Sequence, residues 1–303
     1  MKKCVSDDAV SPVVAFMLLL MIVVSFISVL NAYYIPSLKQ QSEIEHLHNV
    51  EQSFLKISSD ILQVLTFRQN MTMNEPIQLG GGDVYFSPIK SSGYLDVNTT
   101  VLDQCLANIT IKINGTPIND LYSTINQTKI IFRPVGNFWI NQSYEWTDGI
   151  ISIRKGNKIT YLLHTNEKNA DKERKLYYPM LFPRIHFEEY QNNITSMEVN
   201  FVNIVNPGSN RSYSSNGAGR VVIDLIESNK QSLNNGTHIT FEIFENNENF
   251  GINSKFKELF AKGDGKSNIE CTINDKNYSL KIPDNPMVQP NVNITRWNLS
   301  IHT

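Results

Sequence analysis

Residues Val13–Leu30 read VVAFMLLLMIVVSFISVL, and this run decides the architecture. No charged residue occurs from Ala9 to Leu38. Extended from Pro12 to Ile35, a helix here would be about 36 Å long at about 1.5 Å per residue. That crosses a hydrocarbon core of about 30 Å with modest tilt. In lipid a lone span must satisfy its own backbone hydrogen bonds, so a helix is the form it takes. Ser11 is a good N-cap, and Pro12 at the first helical position gives up no needed N–H. Tyr33 and Tyr34 fall where an interfacial aromatic belt would lie. The run is longer than a secretory h-region, and Leu30-Asn31-Ala32 is a poor small-x-small cleavage site, which argues against a discarded signal peptide.

On the N-terminal side, Lys2 and Lys3 precede the span and only Lys39 follows closely, a bias weakened by Asp7 and Asp8. The positive-inside rule then places the N-terminus in the cytoplasm and the body of the chain outside, a single-pass cell-membrane protein in contact with lipid. The sequons agree. Twelve N-x-[ST] triplets occur, against roughly five expected by chance in this composition. They start at Asn70, Asn98, Asn108, Asn114, Asn126, Asn141, Asn193, Asn210, Asn235, Asn277, Asn293 and Asn298, all C-terminal to the apolar run. Each is a possible glycosylation position if the body is exported. Cys4 lies before the span with no lipobox-like run ahead of it; Cys105 and Cys271 share a compartment and are either one disulfide or two buried thiols.

On the C-terminal side the helix continues with different chemistry. Leu47, Val50, Phe54, Ile57, Ile61 and Val64 recur at spacings of three and four, a heptad seam, with charged residues between them. Two readings are open: the helix lies on its own head domain, or Leu47, Val50, Phe54, Ile57 and Ile61 form an assembly seam against neighbouring subunits. Pro36 is expected to kink the helix where it leaves the membrane. Gly80-Gly81-Gly82 reads as a hinge or turn that ends the helical region.

Beyond it, strand-like stretches are expected at 83–89, 93–102, 108–113, 127–133, 138–145, 149–154, 158–164, 177–189, 195–205, 219–227, 237–245, 268–274, 277–282 and 291–302. Asn114-Gly115, Asp148-Gly149, Lys155-Gly156-Asn157, Pro207-Gly208 and Asn235-Gly236 are turn signals between them. Ser209–Gly219 reads as a loop, and Lys255–Lys262 as one helix with Phe256, Leu259 and Phe260 on a face. The expected fold class is α+β: a long N-terminal transmembrane and amphipathic helix, then a mainly antiparallel β-sandwich head. The expected organisation is a cytoplasmic leader (1–9), a membrane helix (10–35), its amphipathic extension (36–68) and an extracellular β-rich domain (83–303). That domain is one unit or two with a boundary near 165–178.

Composition and motifs offer no chemistry. The net charge of −2 gives no field for nucleic acid. The six histidines are scattered; His46 and His48 lie two apart on a helix and point to different faces. H-E-x-x-H, paired CxxC, EF-hand and Gly-x-Ser-x-Gly spacings are absent from the sequence. Glu188 and Glu189 alternate across a strand and cannot work as a local pair. No enzyme, metal or cofactor is expected. Tyr85, Tyr94, Trp139, Tyr144, Trp146 and Trp297 either fill a core or form an adhesive face.

The stretch Asp7-Asp8-Ala9-Val10-Ser11-Pro12-Val13-Val14 resembles the N-terminus of archaeal type IV pilin-like proteins, where a charged leader and a small residue precede V-S-P-V-[IV]. Val24–Ile61 and the stretch Phe132–Ile150 are similar to the helix and head of uncharacterised members. The resemblance implies cleavage near Ala9-Val10 by a prepilin peptidase, a helix start at Ser11-Pro12, retention of the apolar helix, and packing with other pilin-like subunits in a surface filament or secretion-type complex. Leu18–Leu20, Met21 and Phe26 would supply that packing, with Ser25 and Ser28 as small contact points. Asp8 departs from the Lys or Arg usual before the small residue. The alternative is a monomeric single-pass surface binding (adhesion) protein; a third reading, a membrane-anchored extracellular enzyme, needs a site that the sequence does not show.

Overall fold

The computed structural model describes residues 12–81, 84, 91–99, 106–136, 140–162, 177–190, 193–206, 212–234, 238–245, 252–262, 270–274, 276–281 and 290–303. Helix α1 (Pro12–Val29) passes through a π-helical turn at Leu30–Tyr34 into α2 (Ile35–Phe67). The wide turn answers the proline. Pro36 has no N–H and its ring crowds the carbonyl four residues back, and the N–H of Ile35 reaches to Leu30 O, five residues back. A π-turn thus lies just ahead of the proline, where the kink is expected.

Sixteen strands follow among the described residues: β1 (Met71–Gln78), β2 (Ser92–Thr99), β3 (Ala107–Ile113), β4 (Thr116–Ile125), β5 (Thr128–Val135), β6 (Gln142–Thr147), β7 (Ile150–Lys155), β8 (Lys158–Tyr161), β9 (Arg184–Tyr190), β10 (Asn193–Ile204), β11 (Ser212–Ser215), β12 (Ala218–Leu233), β13 (His238–Glu245), β14 (Glu270–Asn274), β15 (Asn277–Lys281) and β16 (Asn291–His302). Helix α3 (Ile252–Lys262) interrupts them. Three sheets result, ordered β1-β12-β16-β10-β9, β11-β2-β5-β6-β7-β8 and β14-β15-β13-β3-β4. All pairs are antiparallel except β10–β16. The chain is therefore α+β, a long helix followed by a mostly antiparallel β-rich body. Every sheet draws strands from both sides of 165–178, so no boundary there separates sequential halves.

Turn chemistry sets much of the register. Asn114-Gly115 (φ +50° and +81°) and Asp148-Gly149 (φ +48° and +86°) make left-handed two-residue turns joining β3–β4 and β6–β7. Alternation is equally plain: in β3 the odd positions Ile109, Ile111 and Ile113 are buried and the residues between are half-exposed.

Three expectations are corrected. β1, β4 and β11 were absent from the strand expectations, and β11 lies where a loop was expected. The stretch 177–189 is a helical turn at 177–181 followed by β9. Tyr177, Tyr178, Leu181 and Phe182 are buried together, a helical spacing, and Pro183 forbids continuation. The Gly80–Gly81 segment is no hinge: Gly80 N–H bonds Gly217 O at 3.0 Å, and a Cβ at Gly81 would sit 2.4 Å from the His46 ring. The expected strand 83–89 lies almost wholly outside the described residues.

Helix α2 joins the first two sheets. Its inner face buries Leu47, Val50, Phe54, Ile57, Ile61, Val64 and Leu65, each at most 5% exposed, in one core continuous with all three sheets. At about 1.5–3 kcal/mol per fully buried large aliphatic or aromatic side chain, this face is a principal source of the body's stability.

Candidate functional site

Two features stand out: an apolar helix with no partner among the described residues, and the junction that fixes it to the body. No residue of α1 is buried. Its Phe16, Met17, Leu19, Met21, Ile22 and Phe26 are 60–69% exposed. Soluble monomers rarely expose so large a contiguous apolar surface. Among the described residues this is the one helix, continuous from Pro12 to Phe67, that is long and apolar enough to cross a membrane. Its polar side chains are satisfied internally: Ser25 Oγ donates to Met21 O (2.8 Å), Ser28 Oγ to Val24 O (2.8 Å) and Asn31 Nδ2 to Ile27 O (2.9 Å). Such back-bonding lets hydroxyls and an amide sit at low cost in a medium that offers no partners.

The junction is polar where the seam is not. At the end of α2 that joins α1, Glu43 and His46 face inward with exposures of 0% and 3%. Glu43 Oε2 accepts the Ile140 N–H at 3.1 Å, and His46 Nε2–H donates to Gln78 O at 2.7 Å. Further along, Ser53 Oγ donates to Pro76 O (3.2 Å), and Lys56 pairs with Glu75. Helix α2 thus covers the open edge of β1, supplying donors to its outward carbonyls at positions 76 and 78. In an antiparallel strand a residue's N–H and C=O point the same way, so Pro76 lacks its N–H on the side away from β12, where no ladder bond is lost. On the second sheet, Tyr144 Oη donates to Leu47 O (3.2 Å) and Trp146 Nε1 to Ser58 Oγ (3.2 Å). Burial lowers the pKa of His46, opposed by its bond to Gln78 O and by the Glu43 charge. Burial raises Tyr144 to about 12, helped by the neighbouring Glu51 charge, so its phenol stays protonated.

The far end of α2 is closed by two arginines. Arg68 is the C-cap in the left-handed region (φ +47°), its N–H bonding Val64 O at 3.1 Å. Its buried guanidinium donates to the carbonyls of Met180 (2.8 Å), Phe182 (2.7 Å) and Asn200. Arg184 donates to Thr66 O at 2.6 Å and Leu65 O at 3.3 Å, placing positive charge on the negative end of the helix. Burial and the nearby Arg184 charge lower Arg68 to about 9, still a cation at neutral pH. Sequence inspection missed this pair, because its partners are carbonyls on distant elements and leave no pattern in the chain.

The sequence-derived residues sort clearly. Leu47, Val50, Phe54, Ile57 and Ile61 are buried in the chain's own core, so the reading of them as a seam for neighbouring subunits is corrected: they are already covered. Pro12 opens α1; Ala9, Val10 and Ser11 lie outside the described residues, as do Cys105 and the side chain of Cys271. Of the sequons, Asn70, Asn98, Asn114, Asn141 and Asn277 are exposed and Asn108, Asn293 and Asn298 half-buried. Asn126 is 7% exposed and its amide donates to Ile204 O at 2.7 Å. Asn210, Asn235 and the Asn193 side chain lie outside the described residues. Tyr144, Trp146 and Trp297 fill the core rather than an adhesive face and Tyr94 is half-buried; Tyr85 and Trp139 are outside the described residues. Among the described residues no group of three His, Cys, Asp or Glu could hold a metal ion.

No protein family, curated protein or solved structure matches this chain.

Proposed function

We propose that the chain is a membrane-anchored, pilin-like structural subunit or minor component of an archaeal cell-surface filament or secretion-type complex. The carrying observation is a single rigid rod: an apolar helix with every side chain outward, continuous through a π-turn with a helix locked into a β-rich body. In this reading the N-terminus is cytoplasmic, the leader is cut at Ala9-Val10, and the body is an extracellular, sandwich-like glycoprotein head. Its function is assembly, in which α1 exchanges lipid for neighbouring helices. With the α2 seam covered by the body, α1 is the surface left for that exchange.

The second reading is a lone single-pass surface binding protein, and the buried seam favours it, because the helix beyond the membrane offers neighbours no apolar stripe. Two measurements decide. The mass of the native N-terminus tests processing: a chain starting near Val10 supports the pilin-like reading, and an uncut chain overturns that route. Single-cysteine cross-linking along α1, from Met17→Cys to Phe26→Cys, tests assembly. Cross-links with helical periodicity support it; none at any position favours the lone protein.

A further inference from the structure

The second sheet has a polarity that the anchor gives meaning to. Strand β6 runs alongside α2, with Ile140 level with Glu43, Tyr144 with Leu47 and Trp146 with Ser58. The start of β6 is therefore the end nearest the helix exit. Register carries the same level across the sheet: Gln142 faces Lys155, Lys155 faces Lys158, and Phe132 faces Tyr144. The end of β5 and the β7–β8 turn thus gather there. Arg133, Arg154, Lys155 and Lys158 sit at this end, all exposed, together with the exposed apolar Val135 (42%) and Ile159 (48%). None of the four cations has an ion-pair partner among the described residues. On α2 at this level, Glu43 is buried and Glu45 is exposed.

Distance matters as much as charge. From Tyr34, the end of the π-turn, to residue 44 is about 15 Å along a helix. The β7–β8 turn extends a further residue or two toward the membrane, about 3 Å each, and extended Lys and Arg stems reach several ångströms beyond their backbone. The polar headgroup layer occupies roughly 5–8 Å outside the hydrocarbon, and screening at physiological salt acts over about 8 Å. The cationic ends therefore fall within range of headgroups.

We propose that this end of the second sheet docks on the bilayer that α1 enters, with Arg133, Arg154, Lys155 and Lys158 engaging anionic lipid headgroups and Val135 and Ile159 facing the interface. The docking holds the rod at a fixed tilt and keeps the body on the membrane surface. It rests on the membrane-anchored reading. Each cation near an anionic surface strengthens attachment about fivefold, so the effect is large in anionic bilayers and absent in neutral ones.

The test uses the full chain in nanodiscs of zwitterionic lipid alone or with about one third phosphatidylglycerol, read by hydrogen–deuterium exchange over 150–162. Exchange at least fivefold slower in the anionic discs is expected, reverting at high salt and in the Arg154→Gln, Lys155→Gln, Lys158→Gln variant. Those side chains are exposed, and the lipid comparison itself needs no variant. Equal exchange in both lipids overturns the inference. Alkaline extraction of the same samples separates the failures. A chain that stays in the membrane but ignores lipid charge sinks this inference alone; a chain that is stripped off sinks the anchored reading with it.

Discussion

Phe54→Ala tests what the α2 seam is for. Phe54 is 0% exposed, its ring 5.8 Å from that of Tyr144, between the helix and the second sheet. Removing the ring takes away on the order of 100 Å² of buried apolar surface, about 2.5 kcal/mol at about 25 cal/mol/Å². The cavity left behind raises the cost to about 3–5 kcal/mol. For a body of this size that is a fall in Tm of about 10 °C. The assay is thermal or urea unfolding of the full chain in detergent, followed by tryptophan fluorescence, since Trp146 lies in the same core. Gln63→Ala, on the exposed side of α2, is the control and should change stability by less than about 0.5 kcal/mol. A Phe54→Ala protein as stable as the parent, but impaired in self-association, would refute the intramolecular role and restore the seam to neighbouring subunits.

His46 titrates near pH 6.5 when unfolded and lower in the fold, chiefly through burial. Below pH 6.5 the unfolded chain binds more protons, so stability falls as pH drops toward the folded value and levels off beneath it. Thermal melts between pH 7.5 and 5 should show this slope, and His46→Gln should reduce it; an unchanged slope in the variant would assign it elsewhere. Asn126 should be unmodified in glycopeptide mass spectra of native protein, because a glycan would displace its bond to Ile204 O, and Asn126→Ala should cost about 1–3 kcal/mol by stranding that carbonyl. An occupied Asn126 in folded protein would contradict the packing of β4 on β10. Gly149→Ala should destabilise more than Gly115→Ala: both have positive φ, but only at Gly149 would the new Cβ meet a neighbour, Tyr177 at 2.9 Å. Paired urea titrations check the order, and equal costs would refute it.

The elements legible in the sequence are those specified by local physics. The helix over Val13–Leu30 is what a run of that length, apolarity and lack of charge implies for a segment able to cross lipid, and α2 follows from the three-four spacing of Leu47 to Val64. The turns at Asn114-Gly115 and Asp148-Gly149 follow from residues that tolerate positive φ. Strands β1, β4 and β11 were illegible because MTMNEPIQ, TPINDLYSTI and SYSS are polar edge strands. An edge strand is held by one neighbour's backbone, and backbone hydrogen bonds leave no mark in side-chain pattern.

The sequence by itself determined that there is an apolar rod with an amphipathic extension and a strand-rich body after it. Only the tertiary structure decided what the extension's apolar face touches, since a heptad stripe is equally compatible with a neighbouring helix and with the chain's own sheets. It also decided which asparagines are open, that Arg68 and Arg184 close the end of α2, and that three sheets each draw on both halves of the chain. The physical reason is common to all of these. Helix and turn preferences are set by residues a few positions apart, whereas burial and edge coverage depend on partners as far apart as Arg68 and Asn200, which no local window contains.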